Sequence, residues 1–242
     1  MRRLEKGEGA AAAHAVTDLD DDAIPAWQRQ SMQRSLRMAR ARAHARSDRF
    51  VAAATRLLQE KGNTDFTVQD VVDRSKMSLR TFYKYFASKE DLLVAVYERV
   101  VAREAVPRLR KRIAKLKDPL QRLRAYVEGL VDLTANTGPV GRTLVHYQNR
   151  LAESRPDDVA AAMKPQFDLL VELVEDIARA RPLRRDLDVV TAARLTHFTV
   201  LAAVHGQAVG SEGATDVPAR TIWEFCLAGM GVAIPKSSSG SR

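Results

Sequence analysis

Residues 75–86, SKMSLRTFYKYF, combine side chains that can bind a polyanion with side chains that belong in a protein core. Four of the fourteen aromatic residues of the chain fall here, beside three basic residues and three small hydroxyls, and no acid is present. Lysine, threonine and tyrosine can donate hydrogen bonds to phosphate oxygens, and arginine or lysine can donate to the N7 and O6 atoms of guanine. This combination indicates nucleic-acid binding.

The stretch 79–86 predicts a short helix with two opposed faces. At about 100° per residue, Phe82 and Phe86 point in one direction, and Arg80 and Lys84 point nearly the opposite way. The two phenylalanines are expected to anchor the helix in the core. An ordinary amphipathic surface helix would explain this apolar stripe, but it would not explain an exposed side without any carboxylate.

Capping residues at intervals of about ten positions predict the elements that hold this helix. Thr67, Ser78 and Ser88 each precede an apolar pattern of helical period, so each is a predicted N-cap. Two short helices joined by a turn of a few residues form a helix-turn-helix. Ser47 is the predicted N-cap of the helix that comes before them.

The remainder of the chain reads as helical, without a persistent period-two pattern. The sequence therefore predicts an all-α fold, with an N-terminal three-helix helix-turn-helix DNA-binding domain and a larger helical domain. The predicted organisation is a disordered tail at 1–25, an Arg-rich extension at 26–44, the helix-turn-helix domain at 45–90, the larger helical domain at 91–235, and a flexible tail at 236–242.

Positive charge is concentrated in residues 26–89, about a quarter of the chain. Residues 26–89 contain fourteen lysines and arginines against five acids, so they account for a charge of +9, which equals the net charge of the whole chain. Clustered positive charge is the electrostatic footprint of a polyanion binder. The Arg-rich residues 26–49 could form a helix on a phosphate surface or remain a loose arm, and the sequence leaves both open.

Composition argues against several other classes of protein. No apolar run approaches the length that spans a bilayer, so no membrane partner is expected. The single cysteine, Cys226, excludes an internal disulfide, and a cytoplasmic location is predicted. His197 and His205 lack the spacing of a metal site, and no phosphate-binding glycine loop is present. We expect no metal, no cofactor and no enzymatic activity.

The run FTVQDVVDRSKMSLRTFYKYFASKEDLL at 66–93 resembles the DNA-binding signature of TetR/AcrR-type transcriptional regulators. The resemblance covers about residues 45–95 and includes the Thr67 cap, the paired valines that follow it, Ser78, and the motifs TFYKYF and SKEDLL. It implies phosphate contacts by Thr67, Thr81, Tyr85 and Lys89, positions near base edges for Gln69, Leu79, Arg80 and Tyr83, and either role for Lys84. We add the cap Ser78 to this predicted DNA-binding set.

Two positions depart from the family pattern. Arg80 stands where the family often has glycine, and it adds a long cation at the groove. Tyr85 stands where histidine is usual, and its hydroxyl keeps a hydrogen-bond donor for phosphate.

The resemblance also implies that the larger domain, at 91–235, is a regulatory domain for effector binding and dimerisation, so that the protein is a homodimer with a small effector. The helices at about 188–206 and 217–230 would pair with those of a second copy, and such a dimer reads a palindromic operator in double-stranded DNA. A pocket within about 90–206 would hold a small, largely apolar effector. The candidate effector-binding residues are Tyr126, His146, Tyr147, Phe167, His197 and Phe198.

The function predicted from the sequence is a sequence-specific transcriptional regulator, a repressor that a small molecule releases from its operator. The alternative is a nonspecific architectural DNA-binding protein that uses the Arg-rich extension.

Overall fold

A computed structural model of the chain describes residues 25–136, 138–210 and 217–234. Within these ranges no residue lies in a β-strand, and the predicted all-α fold is confirmed. The helices are α1 (Ala26–Lys61), α2 (Val68–Ser75), α3 (Leu79–Tyr85), α4 (Lys89–Arg99), a π-helical turn (Val100–Ala105), α5 (Val106–Ile113), α6 (Pro119–Asn136), α7 (Gly138–Ser154), α8 (Pro156–Ala180), α9 (Val189–Val209) and α10 (Ala219–Gly229).

Helix α1 begins much earlier than the sequence predicts. It runs for 36 residues, so Ser47 lies in its interior, and the predicted N-cap at Ser47 is wrong. The Ser47 hydroxyl donates instead to the carbonyl of His44 at 3.0 Å, one turn back. Good helix formers on both sides of Ser47 explain the continuation. The chain divides into two compact units, residues 1–47 and 48–242.

The helix-turn-helix is formed by α2, a three-residue turn and α3. Thr67 caps α2 in a reciprocal capping box with Asp70, and Ser78 caps α3 by accepting a hydrogen bond from the backbone N–H of Thr81. Lys76 ends α2 in the left-handed conformation, with φ of 55°. This cap lets the chain reverse direction within three residues.

Three phenylalanines anchor α3 in the core. The Phe82 ring is fully buried and meets the edge of Phe50 from α1 at a centroid distance of 5.4 Å. Phe86 is 7% exposed and packs against both rings, at 6.2 Å from Phe50 and 5.6 Å from Phe82. The predicted anchor is therefore present.

Helix α6 is the central element of the larger helical region. It packs against α5, α7, α8, α9 and α10. Trp223 of α10 is buried and donates its indole N–H to the carbonyl of Leu120 at 3.1 Å, while the guanidinium of Arg124 lies 5.7 Å from the centre of its ring. Trp223 therefore fixes α10 against the start of α6.

Two polar contacts connect the helix-turn-helix region to the helices that follow it. The Thr143 hydroxyl of α7 donates to the carbonyl of Gly62, just after α1, at 2.8 Å. Asp91, in the first turn of α4, forms an ion pair with Arg155, which precedes α8, and also accepts a hydrogen bond from the backbone N–H of Ala87 at 2.8 Å. The two contacts lie on either side of α2 and α3 in the sequence.

The Asp91 carboxylate should make stability depend on pH. Burial by itself would raise the pKa of Asp91, but the hydrogen bonds from Arg155 and Ala87 outweigh it, and the pKa is lowered from its usual value of 3.8. A lowered folded-state pKa gives stability that is fully present above the unfolded value and is lost as pH falls through the folded value.

We therefore expect Asp91→Asn to lower the free energy of unfolding by about 1–3 kcal/mol at pH 6, and this difference from the wild type should shrink as pH falls below about 4. Urea unfolding at a series of pH values measures it. Asp65→Asn is the control, because Asp65 is exposed and its carboxylate forms no ion pair with another described residue. A deficit that stays constant down to pH 3 would contradict this role for Asp91.

Candidate nucleic-acid interface

The outward face of α3 presents cations and apolar atoms together. Arg80 and Lys84 are exposed, and neither forms an ion pair with any residue that the structure describes. Tyr83 is 56% exposed and Leu79 is 43% exposed, so Leu79 does not pack into the core. Thr81 and Tyr85 are half-buried at the sides of this face. The α3 strip is defined here as Leu79, Arg80, Thr81, Tyr83 and Lys84.

The α3 strip differs from nearby surface in having unneutralised charge. On α2, Arg74 forms a bidentate pair with Glu60, with nitrogen–oxygen distances of 2.5 and 2.6 Å, and this pairing lowers the pKa of the glutamate. Lys61 lies 3.5 Å from the Asp70 carboxylate. Cations that are already paired gain little from a phosphate, whereas Arg80 and Lys84 can approach one without losing a partner.

Ser78 and Thr81 define how α3 begins. The Ser78 hydroxyl lies 2.8 Å from the Thr81 hydroxyl and 3.2 Å from the Thr81 backbone nitrogen, from which it accepts a hydrogen bond. Both side chains are therefore engaged in the cap. Ser78 orients the first turn of the helix, and Thr81 remains half-open to solvent.

The start of α2 carries two more of the predicted residues. Thr67 and Gln69 are both exposed. The Gln69 amide donates to Asp73 at 2.7 Å, one turn along the helix, so its position is restrained. The backbone N–H groups at a helix N-terminus attract anions, and Thr67 lies at this point in α2.

Lys89 is more constrained than the sequence indicates. Its ammonium donates to the carbonyls of Thr64 and Phe66, at 3.0 and 3.1 Å, and lies 5.4 Å from the centre of the Phe66 ring. The side chain is half-buried, and it ties the start of α4 to the connection between α1 and α2. One of its three N–H donors is left for a phosphate.

A separate cavity of about 110 Å³ is lined by residues of α4, the π-helical turn and α5 to α9. Most of its lining is aliphatic, and its polar lining residues include Gln148, Gln166 and His197. The Tyr97 hydroxyl, also at the cavity, donates to the sulfur of Met163 at 2.7 Å.

Of the six predicted effector residues, only His197 lines this cavity. Tyr126 is fully buried in the core, and its hydroxyl makes no hydrogen bond of normal geometry with the described residues. Phe198 is 58% exposed, and His146 is exposed with its ring 6.2 Å from that of His205. The remaining two, Tyr147 and Phe167, are half-buried and do not line the cavity either.

Two glutamines that line the cavity, Gln148 and Gln166, are not among the residues predicted from the sequence. Gln148 lies between Leu144 and Leu151, and Gln166 comes three residues after Met163. Each polar amide therefore interrupts an apolar stripe of helical spacing. This interruption is the feature of the sequence that could have indicated the two glutamines. The aromatic and histidine candidates were chosen by residue type, which does not fix the direction that a side chain takes in the folded protein.

Large apolar side chains are also exposed on the last two helices. Leu195 and Phe198 of α9 are 55% and 58% exposed, and Phe225 of α10 is 66% exposed. A groove of about 260 Å³ between these helices is lined by residues that include Leu195 and Phe225. Exposed apolar surface of this kind marks an interaction site.

Two further properties bear on the kind of protein. Among the described residues, no helix is both long and apolar enough to cross a membrane. Over the same part of the chain, histidine, cysteine, aspartate and glutamate side chains do not form any group of three or more that could hold a metal ion.

Comparison with known proteins identifies relatives of the helix-turn-helix region. Residues 50–96 match the family of bacterial regulatory proteins described as the tetR family. The HTH-type transcriptional regulator BetI of Burkholderia cenocepacia is 33% identical over 102 residues, which cover 42% of this chain and 53% of BetI. The chain thus spans about half the length of this curated relative.

Solved structures resemble the fold over a larger part of the chain. RolR in complex with resorcinol superposes with a TM-score of 0.62 at 19% identity, covering 79% of this chain and 90% of RolR. FadR of Thermus thermophilus, a transcriptional repressor in complex with lauroyl-CoA, gives a TM-score of 0.59 at 17% identity, covering 81% of this chain and all of FadR. The family match over residues 50–96 and these folds agree with the observed helix-turn-helix and all-α architecture, so the predicted resemblance to TetR-type regulators is confirmed for the helix-turn-helix region.

Proposed function

We propose that this protein binds a palindromic operator as a dimer, represses transcription there, and is released by a small effector. The observation that carries the proposal is the α3 strip, an acid-free surface supported by buried phenylalanines, on which Arg80 and Lys84 are exposed and form no ion pair with any described residue. A helix with these groups fits the major groove, where donors meet guanine and apolar atoms meet thymine methyl groups.

The roles proposed for the individual residues are those that the resemblance to TetR-type regulators implies. Arg80, Tyr83, Leu79 and Gln69 lie nearest to base edges, while Thr67, Thr81, Tyr85 and Lys89 contact phosphates. Lys84 is open on the same face as Arg80 and reaches either partner. Ser78 acts by shaping the first turn of α3, since its hydroxyl already accepts the Thr81 N–H. Lys89 contributes one donor, because carbonyls occupy the other two.

Dimerisation through α9 and α10 supports the operator symmetry. The exposed Leu195, Phe198 and Phe225 form an apolar surface that a second copy would cover. An isologous dimer presents two copies of α3 related by a twofold axis, and such a pair reads two inverted half-sites.

Regulation is assigned to the cavity beside the π-helical turn. RolR and FadR, which share this fold, are found with resorcinol and lauroyl-CoA, so cavities in this architecture hold small organic molecules. A dimer on a promoter blocks polymerase without any additional surface, and this favours repression. The protein would act in the cytoplasm with its DNA, without enzymatic activity.

An architectural role is the second candidate, and the Arg-rich helix favours it. Residues 26–47 contain six arginines and no acid. In the structure these residues are helical and nearly all exposed, and Arg34, Arg37, Arg40 and Arg42 form no ion pair with any described residue. This segment can bind phosphates of any sequence, and we propose that it supplements the specific contacts of α3.

Arg80→Ala tests the operator-reading role of α3. If Arg80 reads a guanine, the substitution should cost about 1–3 kcal/mol of affinity for the preferred operator and should relax the preference at one position in each half-site. Selection from random duplexes identifies the operator, and fluorescence anisotropy at fixed salt measures affinity. Arg179→Ala is the control, because Arg179 is exposed on α8. An equal loss on all sequences would make Arg80 a phosphate contact.

Phe225→Glu tests the proposed dimer. A carboxylate placed in an apolar interface would have to be buried without a partner, so we expect the variant to be monomeric at micromolar concentration in analytical ultracentrifugation. Leu116→Glu, at another exposed leucine outside α9 and α10, should remain dimeric. A Phe225→Glu dimer as stable as the wild type would show that this surface is not the interface.

Neutralising the Arg-rich helix tests the second candidate. Glutamine at four arginines should reduce the slope of log affinity against log salt by about 0.9 for each arginine that meets a phosphate, on specific and nonspecific duplexes alike. Lysine at the same positions keeps the charge and should keep the slope. The four positions are Arg34, Arg37, Arg40 and Arg42. An unchanged slope in the glutamine variant would remove this helix from the DNA interface.

A further inference from the structure

We propose that the cavity beside the π-helical turn takes a small uncharged molecule, about the size of one six-membered ring, with a hydroxyl or carbonyl group. This proposal rests on the proposed function, in which the same cavity holds the effector. It goes further by assigning the size, charge and hydrogen-bonding chemistry of the ligand.

Size is set by the volume of the cavity. At about 110 Å³ it is comparable to the engineered apolar cavity of about 150 Å³ that binds benzene. A single ring with one short substituent fills such a space, and an extended acyl chain would reach beyond it. Most of the lining is aliphatic, for example Leu144, Val200 and Leu201, and contributes to binding by burying the ring.

The charged residues at the cavity favour a neutral ligand. Only two lining residues carry a full charge, Glu104 and Arg108, and they pair with each other at 3.8 Å. Their side chains are 44% and 60% exposed, which places the charged groups towards solvent. An ionised ligand would lose its hydration inside the cavity without gaining an unpaired counter-charge, and this is costly.

Hydrogen-bonding groups in the cavity are neutral and face an apolar space. Gln148 is 9% exposed and Gln166 is 6% exposed, and the Gln148 amide forms no hydrogen bond with any residue that the structure describes. The amide keeps some access to solvent, because the Tyr126 hydroxyl is the one fully buried polar side-chain atom without a partner among the described residues. A ligand that displaces this solvent would have to offer the amide a hydroxyl or a carbonyl in its place. Burial lowers the pKa of His197, so its ring is uncharged at neutral pH.

The local backbone is also unusual at this site. The π-helical turn Val100–Ala105 contributes four lining residues and interrupts an otherwise α-helical run from α4 into α5. π-Helical turns are rare and occur frequently at functional sites. The cavity therefore coincides with the one such turn in the described part of the chain.

Isothermal titration of the full chain at pH 7 with four one-ring probes tests the proposal. We expect phenol to bind at one site per chain, toluene to bind about three- to tenfold more weakly because it cannot satisfy the amides, and benzoate and benzylamine, which are charged, not to bind detectably. Tighter binding of either charged probe than of phenol, or no binding by any probe, would overturn it.

Variants locate the binding site. Gln148→Leu should weaken phenol binding about three- to tenfold and leave toluene binding unchanged or tighter, since the amide is replaced by apolar surface. Ala105→Phe should fill the cavity and abolish binding of both probes. Gln121→Leu is the control, because Gln121 is exposed on α6. Circular dichroism checks that each variant folds. Phenol affinity equal to wild type in Gln148→Leu and Ala105→Phe would place binding elsewhere.

The same titrations on the operator complex separate the two proposals. Phenol that binds as described but leaves the DNA complex intact would contradict the effector role and keep the ligand class. Release of DNA by a charged or long-chain molecule, with no binding of phenol, would contradict the ligand class and keep the regulator.

Discussion

Burial of Phe82 is the interaction on which the candidate DNA interface depends. Helix α3 has only seven residues, and helices of this length are not stable alone in water. Its stability comes from tertiary packing, with Phe82 fully buried against Phe50 and Phe86. Because the apolar stripe and the Ser78 cap hold the helix, the opposite face needs no internal partners. Arg80 and Lys84 can therefore remain unpaired at the surface.

The helix-turn-helix is held at both ends by contacts that do not use the exposed face of α3. The acids near α3 pair with other residues: Glu60 pairs with Arg74, and Asp91 pairs with Arg155. Thr143 adds a hydrogen bond to Gly62. Thr143 is followed by Leu144, which lines the cavity. Helix α7 therefore lines the cavity and also contacts Gly62, the residue that follows α1. A displacement of α7 would thus be felt at the end of α1 through the Thr143 hydrogen bond, beside the second connection that Asp91 makes with Arg155.

Local signals in the sequence predicted local structure well. Thr67, Ser78 and Ser88 are all N-caps, because a cap needs only its own hydroxyl and a backbone N–H three residues later. The predicted N-cap at Ser47 was wrong because helix-forming residues on both sides continue the helix through this position. The cavity could not be predicted from residue type, since its lining comes from several helices separated by up to about a hundred positions. Tyr126 was a reasonable candidate by type, and the fold buries it completely.

The proposals concern places where the chain departs from the usual segregation of polar and apolar side chains. Gln148 puts an amide inside an apolar stripe, while Phe198 and Phe225 put rings into water. Each arrangement would gain from a bound partner. The Gln148 amide would pair with a hydrogen-bonding ligand, the exposed rings would pack against an apolar surface, and Arg80 and Lys84, which form no ion pair with any described residue, would pair with an anion. The chemistry differs at each place, so the proposed effector, second copy and DNA would each use a different surface of the fold.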